Sequence, residues 1–564
     1  MKSNDHIPLS EYPRMQLERD SYFCLNGLWD YVIDNKDDIP STFLNKILVP
    51  YAPEAKLSGV GHTLLPNEFL IYRKIFALEK DFNRGRVFLH FQAVDQIAKV
   101  YLNGHLLGEH VGGFLPFSFE VQDYLEATNT LHVVVQDLSD TSYHSRGKQK
   151  LKRGGIWYSP HSGIYLPVWM ESTPRDYLSA LKITPHFDEK RVEIIVASPS
   201  SREVAITIEK RTTIGSANTS IIIDLPAMHP WSPDDPYLYR FMVKLGDDVV
   251  RSYFGMRKCA IEVGKDGKKR IFFNNAPLFQ SGLLDQGYYR DGLLTPTSDK
   301  DYIDDIMFAK NLGFNVLRKH IKIESPRWYY HCDRLGMLVW QDFVNGGGPY
   351  HILTINLPLI SRHHIKDSDY RRFGREDERG REEFIREAKA TIEMLYNAPS
   401  IVLWTIFNEG WGQFDALKAL SVLQECDKTR LFDHASGWHD QGGGAIKSEH
   451  VYFRRCTLGK DEAERARILS EFGGYQLRIE DHAFSRKNIG YHRCASVDEL
   501  SASLDKLYER EIIPAFKNGL SACIYTQLSD VEDELNGLIT YDRQVVKVRS
   551  NIIRKFNYKL TKGL

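Results

Sequence analysis

From about residue 259 onward the sequence changes rhythm, and short apolar runs begin to alternate with stretches of helical period. The runs are LFQSGLL (278–284), NVLRKHI (315–321), MLVWQDF (337–343), SIVLWTIFN (400–408), RLFDHAS (430–436), HVYF (450–453), ARILSEF (466–472) and SACIYTQ (521–527). Helical stretches such as DKDYIDDIMFAKNLG and REEFIREAKATIEMLYN lie between most of them. Strands alternating with helices specify a parallel α/β domain, because a parallel connection must cross over the sheet. Eight such units over 259–564 predict a (β/α)8 TIM barrel. A doubly wound sheet is the alternative architecture, but no Gly-rich phosphate loop follows any run.

A chain of 564 residues cannot be one core, since single cores stop growing at roughly 250–300 residues. Residues 1–172 carry IYRKIFAL, GRVFLHFQAV, AKVYLNGHLLG, TLHVVVQDL and IYLPVWMES, separated by turn signals such as Asn103-Gly104 and Gly112-Gly113. Many short strands without a long helical period predict a β-sandwich. Residues 173–258 add RVEIIVAS, EVAITIEKR, TSIIIDL and YLYRFMVKL, a spacing that fits a small seven-strand sandwich of immunoglobulin type. The catalytic unit is then expected at 259–564. Within it a long insertion follows the third run, from Asn345 to about Glu382, and a loop of that length is expected to be functional or a lid.

Charge excludes some partners. Lys and Arg number 73 against 74 Asp and Glu, a net charge of −1, so nothing attracts nucleic acid or an anionic membrane. The 29 Tyr, 29 Phe and 9 Trp fit both strand-rich cores and stacking on pyranose rings. Seven cysteines are scattered singly with no CxxC pair and no zinc spacing, which suggests free thiols in a reducing compartment. MKSNDHIPLSEYPRMQ has no apolar h-region, and no run of about 18 apolar residues occurs. The expected location is the cytoplasm.

Barrel enzymes place their chemistry at the C-terminal ends of strands. SIVLWTIFNEGWG runs seven largely apolar residues into Asn408-Glu409, where apolar neighbours would raise a carboxyl pKa as a general acid requires. ARILSEFGG has the same form: Glu471 ends an apolar run and Gly473-Gly474 lets the backbone turn. The two glutamates are 62 residues apart, about three βα units, so they would end strands four and seven and face each other. Taken alone, each could equally be a helix-start carboxylate favoured by the macrodipole. Together they suit glycosidic cleavage, in which a gap of about 5–5.5 Å means retention and about 6.5–9.5 Å inversion.

NAPSIVLWTIFNEG (397–410) resembles the acid/base signature of glycoside hydrolase family 2, and SEFGG (470–474) resembles that family's nucleophile motif. The resemblance extends through LNGLWDY (25–31), VDQIAKVYLNGHLLGEHVGGFLPF (94–117), SGIYLPVW (162–169), WSPDDPYLY and NVLRKHIKIESPRWYYHCDRLGMLVWQDF (315–343). It implies an N-terminal jelly roll, an immunoglobulin-like domain, and a retaining exo-β-glycosidase with Glu409 as acid/base and Glu471 as nucleophile. It further implies that Asn408 meets the sugar 2-hydroxyl and that Tyr452 sits against the nucleophile. His320 would be a hydroxyl ligand, with Arg318 buried or paired to Glu471. Trp438 and His439 would end strand five as a sugar wall, with His450 on the same floor.

Three departures bear on the substrate. SGLLDQG (281–287) stands where galactosidases and glucuronidases carry an Asn-Arg-His-Glu or Asn-Lys-His-Glu motif, so Asp285 or Gln286 would replace those contacts. WQDF (340–343) is closer to the β-mannosidase branch, which offers Asp342 to sugar hydroxyls. ACIYTQLSD lacks the usual tryptophan near Thr526, leaving Tyr525 or Gln527 to line the pocket. NGLITYDR (536–543) lacks the lysine of the uronate-gripping Asn-x-Lys motif, although an Arg or Lys from the 345–382 loop could serve instead. The expected substrate is a terminal non-reducing β-linked hexose, β-D-galactoside first. β-Glucuronidase, β-mannosidase, arabinosidase and a non-catalytic carbohydrate-binding protein are the alternatives. No cofactor and no required metal are expected; a homo-oligomer is an analogy with the family.

Overall fold

A computed structural model describes residues 7–359, 364–456, 464–487 and 489–563. The N-terminal third is antiparallel. A six-stranded sheet (Asn45–Val49, Gly27–Asp34, Phe69–Phe76, Asn129–Gln136, Ile97–Leu102, His105–Val111) faces a four-stranded one (Tyr22–Cys24, Val168–Thr173, Arg86–Phe91, Phe117–Glu120). Leu70, Tyr72, Val100, Val133, Leu89 and Met170 from the two sheets share one core. Seven strands follow in a three-plus-four sandwich. Its alternation is regular: Arg191–Ala197 buries Val192, Ile194 and Val196, and Tyr239–Leu245 buries Tyr239, Phe241, Val243 and Leu245. A period of two puts every second side chain inside, as a two-layer sandwich needs.

The C-terminal unit is a parallel barrel of eight strands: β1 (Gln280–Asp285), β2 (Val316–Lys319), β3 (Leu338–Asp342), β4 (Ile401–Thr405), β5 (Leu431–Asp433), β6 (Ile446–Val451), β7 (Ala466–Gly473) and β8 (Leu520–Thr526). Their order in the sheet is β5-β4-β3-β2-β1-β8-β7-β6. Seven of the sequence runs lie on its strands, whereas HVYF (450–453) meets β6 only at His450 and Val451, the end of a strand that begins at Ile446. The chain thus has the expected class, antiparallel sandwiches followed by a TIM barrel. The ladder is nearly closed. Between β5 and β6 side chains take over, with Gly437 N donating to Ser448 Oγ and Ser448 Oγ donating to the Ala435 carbonyl (3.3 and 3.2 Å).

Almost every residue of these strands is buried, as expected of parallel strands covered on both faces. Leu284, Val316, Trp340, Leu403, Ile468 and Ile524 fill the interior, joined by Ile271 and Phe273 of a preceding hairpin. Leu283, Leu317, Val339, Leu469 and Tyr525 face the outer helices. Helices α1 (Asp299–Asn311), α2 (Pro326–Leu335), α3 (Glu378–Leu395), α4 (Ala416–Gln424), α5 (Val497–Leu507) and α6 (Ser550–Thr561) form that outer layer. Their ends are written in the sequence: for α2, Ser325 caps the Arg327 N–H, Pro326 opens the first turn and Gly336 closes it at φ 72°.

Among the described residues, β5 passes to β6 through 434–445 without a helix, because Gly437, Gly442, Gly443 and Gly444 among these 12 residues disfavour one. No helix of the described residues is long and apolar enough to cross a membrane. All seven cysteines are free thiols.

Candidate active site

Beyond β4 the chain stays beside β5 through single hydrogen bonds. Ile406 N donates to Asp433 O (2.9 Å), Ser436 N to Phe407 O (2.8 Å) and Glu409 N to Ser436 O (3.0 Å). Glu409 itself adopts φ 51°, a left-handed conformation that costs a non-glycine residue about 1–2 kcal/mol. Such strain persists only where the surroundings fix it, and it concentrates at working sites. Gly410 completes the turn at φ 73°; a Cβ there would lie 2.6 Å from the His439 ring.

Glu471 is placed by an irregularity within β7. Its pairing with β8 shifts between Leu469 and Phe472, while the β6–β7 pairing shifts between Glu449 and His450 and leaves His450 opposite Glu471. In a regular strand Ser470 and Glu471 would face opposite sides. Here both face the interior, Ser470 Oγ accepting from Ser436 Oγ (2.8 Å) and Glu471 reaching Arg318. Bulges re-aim side chains in this way next to functional sites.

The two carboxylates and the His450 imidazole present atoms that all lie within 4.8 Å of one another. His450 Nδ1 is 2.8 Å from Glu409 Oε1, and Nε2 is 3.6 Å from Glu471 Oε1. The two acids have different surroundings. Glu471 meets Arg318 Nη1 at 3.1 Å and accepts a hydrogen bond from the Tyr452 hydroxyl. Glu409 has no comparable cation in contact, and burial pushes its carboxyl up to about 8, against weaker opposing pulls from Lys148 and Arg318. Burial raises the Glu471 carboxyl as well, and so does the neighbouring Glu409, opposed by His450, Arg318 and Tyr452. Burial holds His450 down at about 3, so its ring is neutral.

Around this pair the sequence candidates fall into two groups. Asn408 Oδ1 accepts from Arg318 Nη2 (2.8 Å), and its Nδ2 has no partner among the described residues. Tyr452 and His450 touch the glutamates directly, and Trp438 lines the adjoining cavity. His320 sits edge-on to Trp411 (6.3 Å), with Nδ1 bound to Asp342 at 2.8 Å. The other four are corrected. Asp342 is buried, with both oxygens bound by Arg318 (3.0 Å each) and one also by His320, so it serves to hold the arginine. Asp285 is ion-paired with Lys319 (2.8 Å). His439 uses both ring nitrogens on the insertion, Nε2 with Thr354 O (2.8 Å) and Nδ1 with Ile365 N (3.1 Å). Tyr525 packs on Phe472 between barrel and helices.

A cavity of about 650 Å³ opens over Glu409. Trp157, Tyr350, Tyr491, Lys150 and Glu534 line it together with Trp438, and none of these five was foreseen from sequence. Trp157 comes from the N-terminal sandwich on a tight turn, with Gly154 N and Trp157 O 2.8 Å apart, and packs 5.1 Å from Trp411. The Gly154-Gly155 pair before it was the available signal. Tyr350, Ile352 and Ile355 belong to the 345–382 insertion, of which 360–363 lie outside the described residues; it walls the cavity. Tyr491 stacks on Tyr452, centroids 3.9 Å apart. Glu534 accepts from the Tyr158 hydroxyl and from Gln527 Nε2 (3.3 Å). A second cavity, about 500 Å³, lies between Arg14–Leu17 and α3; its only lining carboxylate is Glu393, so it cannot pair two acids.

Among the described residues, Glu409, His450 and Glu471 are the only acid and imidazole groups close enough to share a metal ion. Arg318 already supplies the positive charge there, which opposes a cation at the same place.

Comparisons with known proteins agree with this layout. Residues 62–160 match the profile of the glycosyl hydrolase 2 galactose-binding domain-like family, 177–257 that of glycosyl hydrolases family 2, and 292–462 that of its TIM barrel domain. A β-galactosidase of Thermoanaerobacter pseudethanolicus is 24% identical over 388 residues, 64% of this chain and 47% of that protein. The chain spans about half the length of the curated relatives it matches. A β-D-glucuronidase structure from Dictyoglomus thermophilum superposes with a TM-score of 0.74 at 17% identity, covering 97% of this chain and 99% of that one. The family 2 β-galacturonidase of Eisenbergiella tayi, bound to galacturonate, gives 0.72 at 17% identity, covering 97% and 99%. At such identity the likeness concerns the fold.

Proposed function

The chain belongs to glycoside hydrolase family 2, and from that premise we propose that it is a retaining exo-β-glycosidase acting on a terminal non-reducing hexose. The observation that carries the proposal is the pair Glu409 and Glu471, at the ends of β4 and β7, with carboxylate oxygens within 4.8 Å. That spacing is near the roughly 5–5.5 Å of retaining enzymes and short of the gap that admits an inverting water.

The unlike surroundings assign the roles. Glu471, beside Arg318 and Tyr452, is the acid whose charge is supported, so it attacks the anomeric carbon. Glu409 keeps its proton near neutrality and gives it to the departing oxygen as the C–O bond breaks. In the second step Glu409 takes a proton from water, the water oxygen bonds to the anomeric carbon, and Glu471 leaves as carboxylate. The unpartnered Asn408 amide is the donor for the 2-hydroxyl, a contact that strengthens in the transition state.

Glu534 and the missing Asn-x-Lys lysine favour a neutral hexose over a uronide: the charged lining residues are Lys150 against Glu409 and Glu534. A β-D-galactoside is the first candidate, in keeping with the name of the curated relative. Incubation with 2-fluoro glycosides of galacto, gluco, manno and glucurono configuration, followed by peptide mass spectrometry, tests the assignment. The expected adduct is on Glu471. Turnover that survives Glu471→Gln, or an adduct on another residue, would overturn it.

A further inference from the structure

The proton on Glu409 has a partner in the protein. From the hydrogen-bond directions around His450 we infer that this histidine is a positioning residue, accepting a hydrogen bond from protonated Glu409 in the resting enzyme. The inference rests on the assignment of Glu409 as acid/base.

A neutral imidazole carries one N–H, and the hydrogen bond made by one nitrogen decides where it sits. Ser436 Oγ donates its single proton to Ser470 Oγ (2.8 Å). Towards His450 Nε2, 3.1 Å away, Ser436 can therefore only accept. The second neighbour of Nε2, Glu471 Oε1 at 3.6 Å, is a carboxylate oxygen and also an acceptor. The N–H is on Nε2, and Nδ1 is a bare lone pair. Glu409 Oε1 lies 2.8 Å from that lone pair. Two lone pairs do not approach so closely without a proton between them, so the proton belongs to Glu409.

The ionisable groups facing the imidazole are Glu409, Glu471, Arg318, His320, Asp342 and Tyr452. Those facing Glu409, besides His450, are Glu471, Lys148, Arg318, Glu534, Tyr452 and Tyr491. Among the groups in hydrogen-bond contact with Glu409, His450 is the one that favours the neutral acid, since a hydrogen bond to the protonated form disfavours ionisation. After Glu409 surrenders its proton to the leaving oxygen, the same lone pair faces a carboxylate and favours recapture of a proton from water. The arrangement also explains Gly437, where a Cβ would lie 2.5 Å from the imidazole and push it aside.

Two measurements test the inference. Neutron diffraction from deuterated wild-type crystals near neutral pH should place deuterium on His450 Nε2 and on Glu409 Oε1; deuterium on Nδ1 beside a bare carboxylate overturns it. In His450→Phe, and less strongly in Gly437→Ala, the alkaline limb of kcat/KM should fall by about one pH unit, as loss of one hydrogen bond to the acid form requires. The limb of kcat should move less, because bound substrate has already drawn the proton away from Nδ1. An unmoved kcat/KM limb in folded His450→Phe overturns the inference. A wild type that cleaves no β-glycoside sinks the glycosidase proposal instead, and the neutron map still decides where the proton lies.

Discussion

Arg318 Nη1 lies 3.1 Å from Oε1 of Glu471, in a buried salt bridge. The same guanidinium grips both oxygens of Asp342, the Asn408 amide oxygen and the Ser470 carbonyl. Its fork thus fixes residues from the ends of β2, β3, β4 and β7 relative to one another. Removing it strands two buried carboxylates, and an uncompensated buried charge costs about 3–5 kcal/mol. Arg318→Met should lower the melting temperature of the barrel accordingly. Because the cation favours ionised Glu471, its loss should also raise the acid limb of kcat/KM. Arg318→Lys should restore part of the stability but not the rate, since an ammonium cannot reproduce the fork. A melting curve and pH–rate profile unchanged in Arg318→Met would contradict this.

Tyr452 offers a cleaner probe of Glu471. Its ring stacks on Tyr491 at 3.9 Å and its hydroxyl donates to Glu471. Tyr452→Phe keeps the stack and deletes the donor. A hydrogen bond to a charged group is worth about 1.5–3 kcal/mol, so kcat should fall about 10–100-fold with little change in thermal stability. The acid limb should again move up, since the lost bond favoured the ionised form.

Much of this site was legible in the sequence, and the misses have a common cause. Strands buried on both faces appear as continuous apolar runs, which is why seven barrel strands could be placed and why the acids ending two of them stood out; β6 reads IKSEHV, and its polar Lys447, Ser448 and Glu449 hid all but its end. Which face a given residue takes is a matter of parity, and a one-residue difference inverts it. Leu284 and Ile524 point inward, so Asp285 and Tyr525 point out, to Lys319 and to Phe472. Asp342 does point inward with Trp340, but Arg318 on the neighbouring strand consumes it. The cavity walls could not be read at all: Trp157, Tyr350, Tyr491 and Glu534 come from four loops with no shared period, brought together only by the packing of the sandwich, the insertion and the barrel.

Glu409 should also leave a mark on stability. Its carboxyl titrates near 8 in the folded protein, with burial the largest cause, against an ordinary value of 4.5. A group raised in this way contributes stability that is fully present below the unfolded value and is lost as pH rises through the folded one. Glu409→Gln is neutral throughout. Its melting temperature should match wild type below about pH 4.5 and exceed it progressively up to about pH 8, the difference reaching about 5 kcal/mol of unfolding free energy at most. The same variant should lose about 10²–10⁴-fold in rate on glycosides with poor leaving groups and far less on dinitrophenyl glycosides, which need no proton. Equal losses on both would remove Glu409 from the acid role.

The N-terminal sandwich should matter to substrate binding through Trp157. Its indole lies 5.1 Å from Trp411 and 6.1 Å from Tyr350, with Lys150 Nζ 4.2 Å above it, and it borders the cavity that contains Glu409. The ring is only half-buried and its turn is held by backbone hydrogen bonds, so truncation should leave the fold intact. It is not among the hydrogen-bond partners of either glutamate, so its contribution to substrate and to transition state should be equal. Loss of uniform binding raises KM and spares kcat. Trp157→Ala should therefore raise KM about tenfold, equivalent to about 1.4 kcal/mol, with kcat within a factor of about two. Trp157→Phe, which keeps an aromatic face, should recover most of the affinity. Steady-state kinetics on one aryl glycoside suffice to check this, and a fall in kcat at constant KM would mean that the sandwich shapes the reacting centre itself.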